Sequence, residues 1–236
     1  MADNPDFDAD ANSPSLAQKL RACGWASDLS ETEFARVEAG VFERMIPAGG
    51  FVCRKGEPAE YWLGVMDGLL KISSDWVTGK TATLSGMPSG GWFGEGSLLK
   101  VERLRYDAIA MRDSRVVYMR RDTFQWLLDH SIAFNRFLLT QLNERLGQFI
   151  GTLESERLLD TDARVARALA SLFNEVLFPG TAHNLSISQE EIGYLAGISR
   201  QRVNRSLKIL EDAGFLEVAY GGVKIVDLDG LRRFGG

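Results

Sequence analysis

The stretch SQEEIGYLAGISRQRVNRSLKIL, residues 188–210, decides the fold of the carboxyl-terminal region. Ser188 followed by Glu191 is the pattern of a capping box, which predicts that a short helix begins there. Gly197 is predicted to end this helix, because a tight turn between two helices needs a residue that adopts a positive φ. Ser199 is a favourable N-cap for a second helix. The stretch therefore predicts a helix-turn-helix.

The second helix has two chemically different faces. Val203, Leu207 and Leu210 recur at helical spacing, which predicts a buried stripe. Between residues 199 and 208 there are four basic residues and no acidic one, although the whole chain has a formal net charge of −5. In the major groove, arginine pairs with guanine, and glutamine or asparagine pairs with adenine. This face is therefore predicted to bind DNA, through Ser199, Arg200, Gln201, Arg202, Asn204, Arg205 and Lys208.

A β-hairpin is predicted directly after this helix. Two short alternating stretches, residues 215–218 and 223–226, flank Gly221–Gly222, and such a turn is typical of a hairpin. Beside a helix-turn-helix the hairpin indicates a wing, with Tyr220 and Lys224 as candidate phosphate contacts.

Residues 46–120 have the pattern of a β-domain. Short stretches rich in β-formers lie between recurring glycines, such as YWLGVMDGLLKI at 61–72 and SRVVYM at 114–119. Many short strands with glycine-containing turns predict an antiparallel sandwich or barrel. Because no helical stretch separates the strands, a parallel sheet is not expected.

Helical periodicity flanks this region on both sides. Upstream, residues 15–45 show helical spacing throughout, and Ser30 followed by Glu33 predicts a helix that begins near Glu31. Downstream, from Thr123, leucine and phenylalanine recur at intervals typical of a heptad seam: Leu139, Leu142, Leu146, Phe149 and Leu153. Packing against the chain's own β-domain is one alternative. The narrow seam with polar flanks favours a two-stranded coiled coil, and we therefore predict a homodimer.

These patterns divide the chain into four parts. Residues 1–15 carry four aspartates and no basic residue, which predicts a disordered acidic tail rather than a secretory signal. The β-domain is predicted at 16–122, the dimerisation helix at 123–158 and the DNA-binding domain at 159–236. No apolar run approaches the roughly 18 to 20 residues that span a bilayer. We therefore expect no membrane association and a cytoplasmic location.

The residues that could build a metal centre or an active site are few. Cys23 and Cys53 belong to no CxxC motif, and the only histidines, His130 and His183, lie far from both in the sequence. We therefore expect two inert thiols and no zinc, iron–sulfur or haem site. GGWFGEG, at 90–96, lacks both the spacing of a dinucleotide-binding loop and the lysine of a P-loop. Enzymatic activity is not expected.

Three motifs in this order resemble the Crp/Fnr family of bacterial transcription factors, from about residue 16 onward. QEEIGYLAGISRQRVNRSLKILEDAGFL, at 189–216, is similar to the family's helix-turn-helix, and AGGFVCRKGEPAEYWLGVMDGLLKI, at 48–72, to the start of its cyclic-nucleotide-binding β-roll. GGWFGEGSLL, at 90–99, resembles its phosphate-binding cassette. The resemblance implies an α+β fold: an amino-terminal antiparallel β-roll, a long dimerisation helix and a carboxyl-terminal winged helix-turn-helix.

The same resemblance implies partners. A homodimer would bind double-stranded DNA at a pseudo-palindromic operator, with half-sites about 34 Å apart, and would contact RNA polymerase during activation. Arg200, Gln201 and Arg205 match the base-contacting positions of the family. Many members have glutamate where this chain has Gln201. Since glutamate accepts from cytosine whereas glutamine pairs with adenine, the operator is expected to differ there.

The resemblance also implies an effector pocket around the cassette. Its candidate ligand-binding residues are Gly94, Glu95, Gly96, Ser97, Arg105 and Tyr106. In the family a backbone amide at Gly94 and a cation at Arg105 would bind phosphate, and a carboxylate at Glu95 would bind a ribose hydroxyl. Tyr106 replaces a serine or threonine of nucleotide-binding members. Phe149 and Ile150 align with small hydroxyl residues that contact the base in cyclic-AMP binders.

Three interpretations of the pocket stay open at this point. It binds cyclic AMP, or it binds another effector through Arg105, such as a cyclic dinucleotide or an aromatic acid. In the third, it binds none, and Arg105 pairs an internal carboxylate such as Glu95. A further alternative is a cyclic-nucleotide-binding module that regulates a partner protein rather than DNA. Such a module would not require the basic outward face between residues 199 and 208.

Overall fold

Two antiparallel four-stranded sheets form the amino-terminal β-domain. The computed structural model describes residues 14–75 and 81–235, so the tail predicted at 1–15 lies outside the described residues except for its last two. The strand orders are β1-β8-β3-β6 and β2-β7-β4-β5. The strands are β1 Val41–Ile46, β2 Phe51–Cys53, β3 Tyr61–Asp67, β4 Leu69–Asp75, β5 Thr81–Pro88, β6 Trp92–Phe93, β7 Asp107–Ala110 and β8 Ser114–Arg120.

The helices and the carboxyl-terminal strands complete the chain. The helices are α1 Leu16–Arg21, α2 Glu31–Ala39, α3 Glu95–Leu99, α4 Arg121–His130, α5 Ile132–Leu158, α6 Thr161–Ala170, α7 Gln189–Ala196, α8 Arg200–Asp212 and α9 Leu228–Arg233. A third sheet has the order β10-β11-β9, with β9 Asn184–Leu185, β10 Leu216–Ala219 and β11 Gly222–Ile225. In the described part of the chain, no helix has the length and apolar character needed to cross a membrane. The predicted α+β architecture is confirmed.

Three local expectations about element boundaries are refined. The stretch at 61–72 is two strands, because Gly68 turns the chain with a φ of +106°. The helical pattern upstream ends at Ala39, and Phe42 lies in β1 rather than in a helix. The helical region predicted from 123 is two helices, separated at Ser131, whose hydroxyl caps the longer one by accepting from the Phe134 amide.

The long helix α5 buries one face of its first half and none of its second half. Phe134, Leu138 and Gln141 are buried against the β-domain. Phe134 joins an aromatic cluster around Trp25 and Trp62, which lie in an edge-to-face arrangement with ring centroids 5.3 Å apart. This cluster anchors the amino-terminal end of α5 in the core.

The β-domain also contacts the helix-turn-helix directly. Leu69 of β4 is buried in the hydrophobic core of the carboxyl-terminal domain, not in its own. The Arg112 Nη2 and Nε atoms lie 2.7 and 3.1 Å from Glu191 Oε1 on α7. The Lys71 ammonium lies 4.0 Å from the centre of the Tyr194 ring, on the same helix. These contacts hold α7 against β4 and the loop before β8.

The Arg112→Ala substitution is expected to lower the free energy of unfolding by about 1–3 kcal/mol, because the buried Glu191 carboxylate loses a charged donor. Chemical denaturation followed by circular dichroism measures this change. Arg115→Ala is the matched control, since its ion pair with Glu43 is longer, at 3.6 Å, and more exposed. We expect that control to cost less than about 1 kcal/mol. Equal losses in the two variants would contradict the structural role of Arg112.

Candidate functional site

The helix-turn-helix begins with the predicted capping box. The Ser188 hydroxyl accepts from the Glu191 amide at 3.2 Å, and Glu191 Oε2 accepts from the Ser188 amide. Gly197 ends α7 with a φ of +66°, as predicted. A Cβ at Gly193 would lie 2.8 Å from the Ile198 carbonyl oxygen, so the turn packs closely on α7. Ser199 occupies the N-cap position of α8, but its side chain makes no capping hydrogen bond.

The buried stripe of α8 fixes the helix on its neighbours. Val203, Leu207 and Leu210 are fully buried, as predicted. The Ser206 hydroxyl donates to Asp162 Oδ1 at 2.6 Å, which links α8 to α6. Because these contacts define the inward face, the orientation of the opposite face is also defined.

The outward face of α8 separates into two groups of residues. Arg202 donates to the Thr161 hydroxyl at 3.1 Å, and Asn204 accepts from the Gln189 amide at 3.3 Å, so both are engaged within the protein. The other members are exposed and make no hydrogen bond or ion pair with the rest of the described chain: Arg200, Gln201, Arg205 and Lys208. We call these four residues the free face. It presents three cations and one amide to solvent.

The wing lies beside this helix, with a turn that differs from the expectation. The two-residue turn is Tyr220–Gly221, not Gly221–Gly222, because Gly222 pairs with Ala219 as part of β11. Tyr220 is fully exposed at the tip. Lys224 forms a 2.9 Å ion pair with Glu217 on the neighbouring strand. The third strand, β9, was not predicted, since its two residues are too few to show a periodic pattern.

The cassette turn positions a buried carboxylate. Gly94 has a φ of +97° and precedes α3, where Glu95 is only 3% exposed. Glu95 Oε1 lies 3.1 Å from Arg145 Nε, and Arg145 Nη2 donates to the Trp92 carbonyl at 2.7 Å. The second oxygen, Glu95 Oε2, is buried and has no hydrogen-bond partner. The cassette therefore contains a buried carboxylate oxygen that lacks a donor.

One of the three interpretations left open for the pocket paired Arg105 with an internal carboxylate such as Glu95, and the structure pairs Arg105 with Glu102 instead. Arg105 is largely exposed and binds Glu102 through two hydrogen bonds of 2.9 and 2.8 Å. These bonds, together with one from Lys100, lower the pKa of the Glu102 carboxyl to about 2. Arg145 takes the place beside Glu95, because α5 crosses the cassette at that level. Sequence spacing did not predict the Arg145–Glu95 pair, because the two residues lie fifty positions apart.

The remaining cassette residues differ in accessibility. Ser97 is buried, with its hydroxyl 3.5 Å from the Arg103 carbonyl oxygen, whereas Gly96 has open space around it. Burial raises the pKa of the Tyr106 phenol, and the nearby Glu95 carboxylate raises it further, so Tyr106 is neutral. Phe149 and Ile150 lie on the exposed face of α5.

The predicted seam is exposed along α5. Leu139 is 68% exposed and Leu146 is 59% exposed, and the same face continues through Phe149 and Leu153. Leu142 is half-buried. A contiguous apolar stripe of this length on a single chain is unusual for a surface that faces only water.

Two families of known domains match two separate parts of this chain. The cyclic nucleotide-binding domain family matches residues 43–131, and the Crp-like helix-turn-helix domain family matches residues 163–234. A CRP-like cAMP-activated global transcriptional regulator of Mycobacterium tuberculosis is 29% identical, over 79% of this chain and 85% of its own length.

Solved structures share the fold across both domains. FixK2 from Bradyrhizobium japonicum matches with a TM-score of 0.69 at 19% identity, over 83% of this chain and 98% of that one. The c-di-GMP responsive global regulator CLP of Xanthomonas campestris matches with a TM-score of 0.60 at 24% identity, over 83% and 99%. Both family matches, in the same order and on one chain, identify the protein as a member of the Crp/Fnr family of DNA-binding transcriptional regulators.

Proposed function

We propose that this regulator is a homodimer that binds a pseudo-palindromic operator through the free face of α8. We also propose that an anionic nucleotide, bound at the cassette, regulates it. The observation that carries the proposal is the free face itself. Arg200, Gln201 and Arg205 extend from the start of a helix whose opposite side is fully packed. Side chains of this kind, near the amino-terminal end of an exposed second helix, are those that contact base edges in the major groove.

The homodimer follows from the exposed seam of α5. Pairing two copies would bury Leu139, Leu146, Phe149 and Leu153 against each other. Two-fold symmetry would then present two copies of α8, which suits half-sites about one helical turn apart. Through the family resemblance, the proposal extends to a cytoplasmic location and to contact with RNA polymerase at the promoter.

The effector is inferred from the chemistry of the cassette. A ligand hydroxyl that donates to Glu95 Oε2 would satisfy this buried acceptor. Arg105, which the family resemblance assigns to phosphate, would pair an anionic ligand in exchange for Glu102. A cyclic nucleotide carries both a ribose hydroxyl and a phosphate. The Mycobacterium tuberculosis relative is named as cAMP-activated, and the structural neighbour CLP is described as c-di-GMP responsive. We therefore propose a nucleotide that carries a cyclic phosphate.

The test of DNA binding is a fluorescence anisotropy titration with an operator selected from a random DNA library. Affinity for that operator should fall steeply between about 50 and 200 mM salt, because phosphate contacts release counterions. A scrambled duplex of the same length should bind at least about a thousandfold more weakly. If no sequence is enriched by the selection, or affinity is independent of salt, the proposal fails.

Two substitutions in the cassette are expected to move effector affinity in opposite directions. Glu95→Gln should weaken cyclic AMP binding by about tenfold or more, because the charged acceptor for the hydroxyl is lost. Glu102→Gln should strengthen it, because Arg105 is released from its two hydrogen bonds and becomes available to phosphate. Isothermal titration calorimetry with cyclic AMP, cyclic GMP and cyclic di-GMP measures both effects. The same direction of change in both variants would contradict this assignment of roles.

A further inference from the structure

We propose that the protein has a second ligand site, separate from the cassette, which binds a small aromatic carboxylate. The site is a cavity of about 480 Å³ between α1, the β-domain, α5 and residues 176–180. This volume lies within the range of small-molecule sites in proteins. No candidate residue of the cassette lines it.

The walls of the cavity are mainly aromatic and aliphatic. Trp25 and Trp92 lie edge-to-face with ring centroids 5.0 Å apart, and both line the cavity. Phe137 of α5, Met66 of β3 and Leu177 complete the apolar surface. Aromatic walls of this kind favour a flat aromatic ligand, which can stack on one ring and meet the edge of another.

Two hydrogen-bond donors of this wall lack an oxygen acceptor. The indole Nε1 atoms of Trp25 and Trp92 are buried, and neither meets an acceptor oxygen. The Trp92 indole is beside the Cys23 thiol, a weak acceptor that does not replace an oxygen. An indole nitrogen can only donate, and buried donors in folded proteins are nearly always paired. A ligand that carries acceptor oxygens would supply what both groups lack.

The charge of the lining selects an anion. Lys19 is the only charged side chain among the described residues that line the cavity. Burial raises the pKa of the Cys23 thiol to about 11, so this second polar group is neutral and does not cancel the positive charge. An ammonium group and two N–H donors without an oxygen acceptor, around apolar walls, fit a carboxylate attached to an aromatic ring.

The position of the cavity gives such a ligand access to both domains. The Trp92 carbonyl accepts hydrogen bonds from Gln141 and Arg145 of α5, and Arg145 also holds Glu95 in the cassette. The lining residues between 176 and 180 lie in the connection between α6 and β9, the first strand of the wing sheet. An occupant would therefore contact the support of the cassette and the segment that leads to the helix-turn-helix.

The test uses the full-length protein labelled with ¹⁵N at its tryptophan indoles, titrated with 2-naphthoate and, separately, with its neutral analogue 2-naphthamide. The chain has five tryptophans, so single Trp→Phe variants suffice to assign each indole resonance. We expect 2-naphthoate to shift the Trp25 and Trp92 resonances downfield and saturably, as new hydrogen bonds form. The amide should bind about tenfold more weakly, because it lacks the charge that meets Lys19.

Two variants separate this site from the cassette. Lys19→Met removes the ammonium but keeps an unbranched, flexible side chain, and it should reduce 2-naphthoate affinity to that of the amide, whereas Glu95→Gln should leave that affinity unchanged. The proposal is overturned if neither resonance shifts saturably, if Lys19→Met binds as tightly as the unsubstituted protein, or if Glu95→Gln abolishes the shifts. Operator binding by the same samples tests the proposed function independently, so the two failures are distinguishable.

Discussion

The double substitution Leu146→Glu with Phe149→Glu is expected to convert the protein into a monomer and to abolish tight operator binding. Both side chains are about half exposed in the single chain and would be buried in a pair of α5 helices. Fully burying an exposed large apolar side chain contributes about 1.5–3 kcal/mol, and about half of that remains to be gained here, so the four side chains lost from a dimer contribute about 3–6 kcal/mol. The four carboxylates that replace them would in addition repel one another. The dimer dissociation constant should therefore rise by at least about 10²-fold.

Light scattering during size-exclusion chromatography measures the mass of each variant directly. The matched control is Thr140→Glu with Thr152→Glu, which adds the same charge to the same helix. Both threonines are exposed and lie six residues from Leu146, about 120° around the helix from it. This control should remain a dimer and bind the operator. If the seam variant remains a dimer, the association surface lies elsewhere; if the control also dissociates, added charge rather than position is responsible.

Monomers of the seam variant should still bind a single half-site weakly. Each half-site is contacted by one copy of α8, and loss of the dimer removes only the linkage between two binding events. Circular dichroism should show a folded protein, because Phe134 and Leu138 anchor α5 on the β-domain without help from the seam.

Elements determined by short-range chemistry could be predicted from the sequence. The capping box at Ser188, the positive φ at Gly197 and the buried stripe that includes Val203 each depend on residues within a few positions of one another. For the same reason the start of α2 at Glu31 could be predicted from Ser30. In these segments the local pattern and the final packing favour the same structure.

Features that depend on the meeting of distant segments could not be predicted. The motif order placed Arg105 in the cassette, but its long side chain turns to Glu102, three positions away, while Arg145 arrives from α5 to bind Glu95. Likewise, no periodic pattern reveals that Arg112 would meet Glu191, seventy-nine positions further on. The partner of a long, flexible charged side chain depends on which segments meet in the folded protein, and a short sequence motif does not specify that.

The Arg205→Ala substitution is expected to weaken operator binding by about 1–3 kcal/mol, which corresponds to about 5- to 150-fold, while the dimer remains intact. Arg205 lies on the free face of α8 and has no partner among residues 14–75 and 81–235, so its removal leaves no buried group unpaired. The thermal unfolding temperature should therefore be unchanged. The measurement is anisotropy with the selected operator and with single-base variants of it. Specificity should be relaxed at one base pair in each half-site.

Arg205→Lys distinguishes a base contact from a phosphate contact. Lysine keeps the charge but lacks the planar fork that makes two hydrogen bonds to guanine. If Arg205 contacts a base, the lysine variant should lose nearly as much operator affinity as the alanine variant, while its affinity for scrambled DNA stays close to that of the unsubstituted protein. Full recovery of operator affinity by lysine would assign Arg205 to the backbone. In that case base recognition would depend on Arg200 and Gln201, the free-face residues nearest the start of α8.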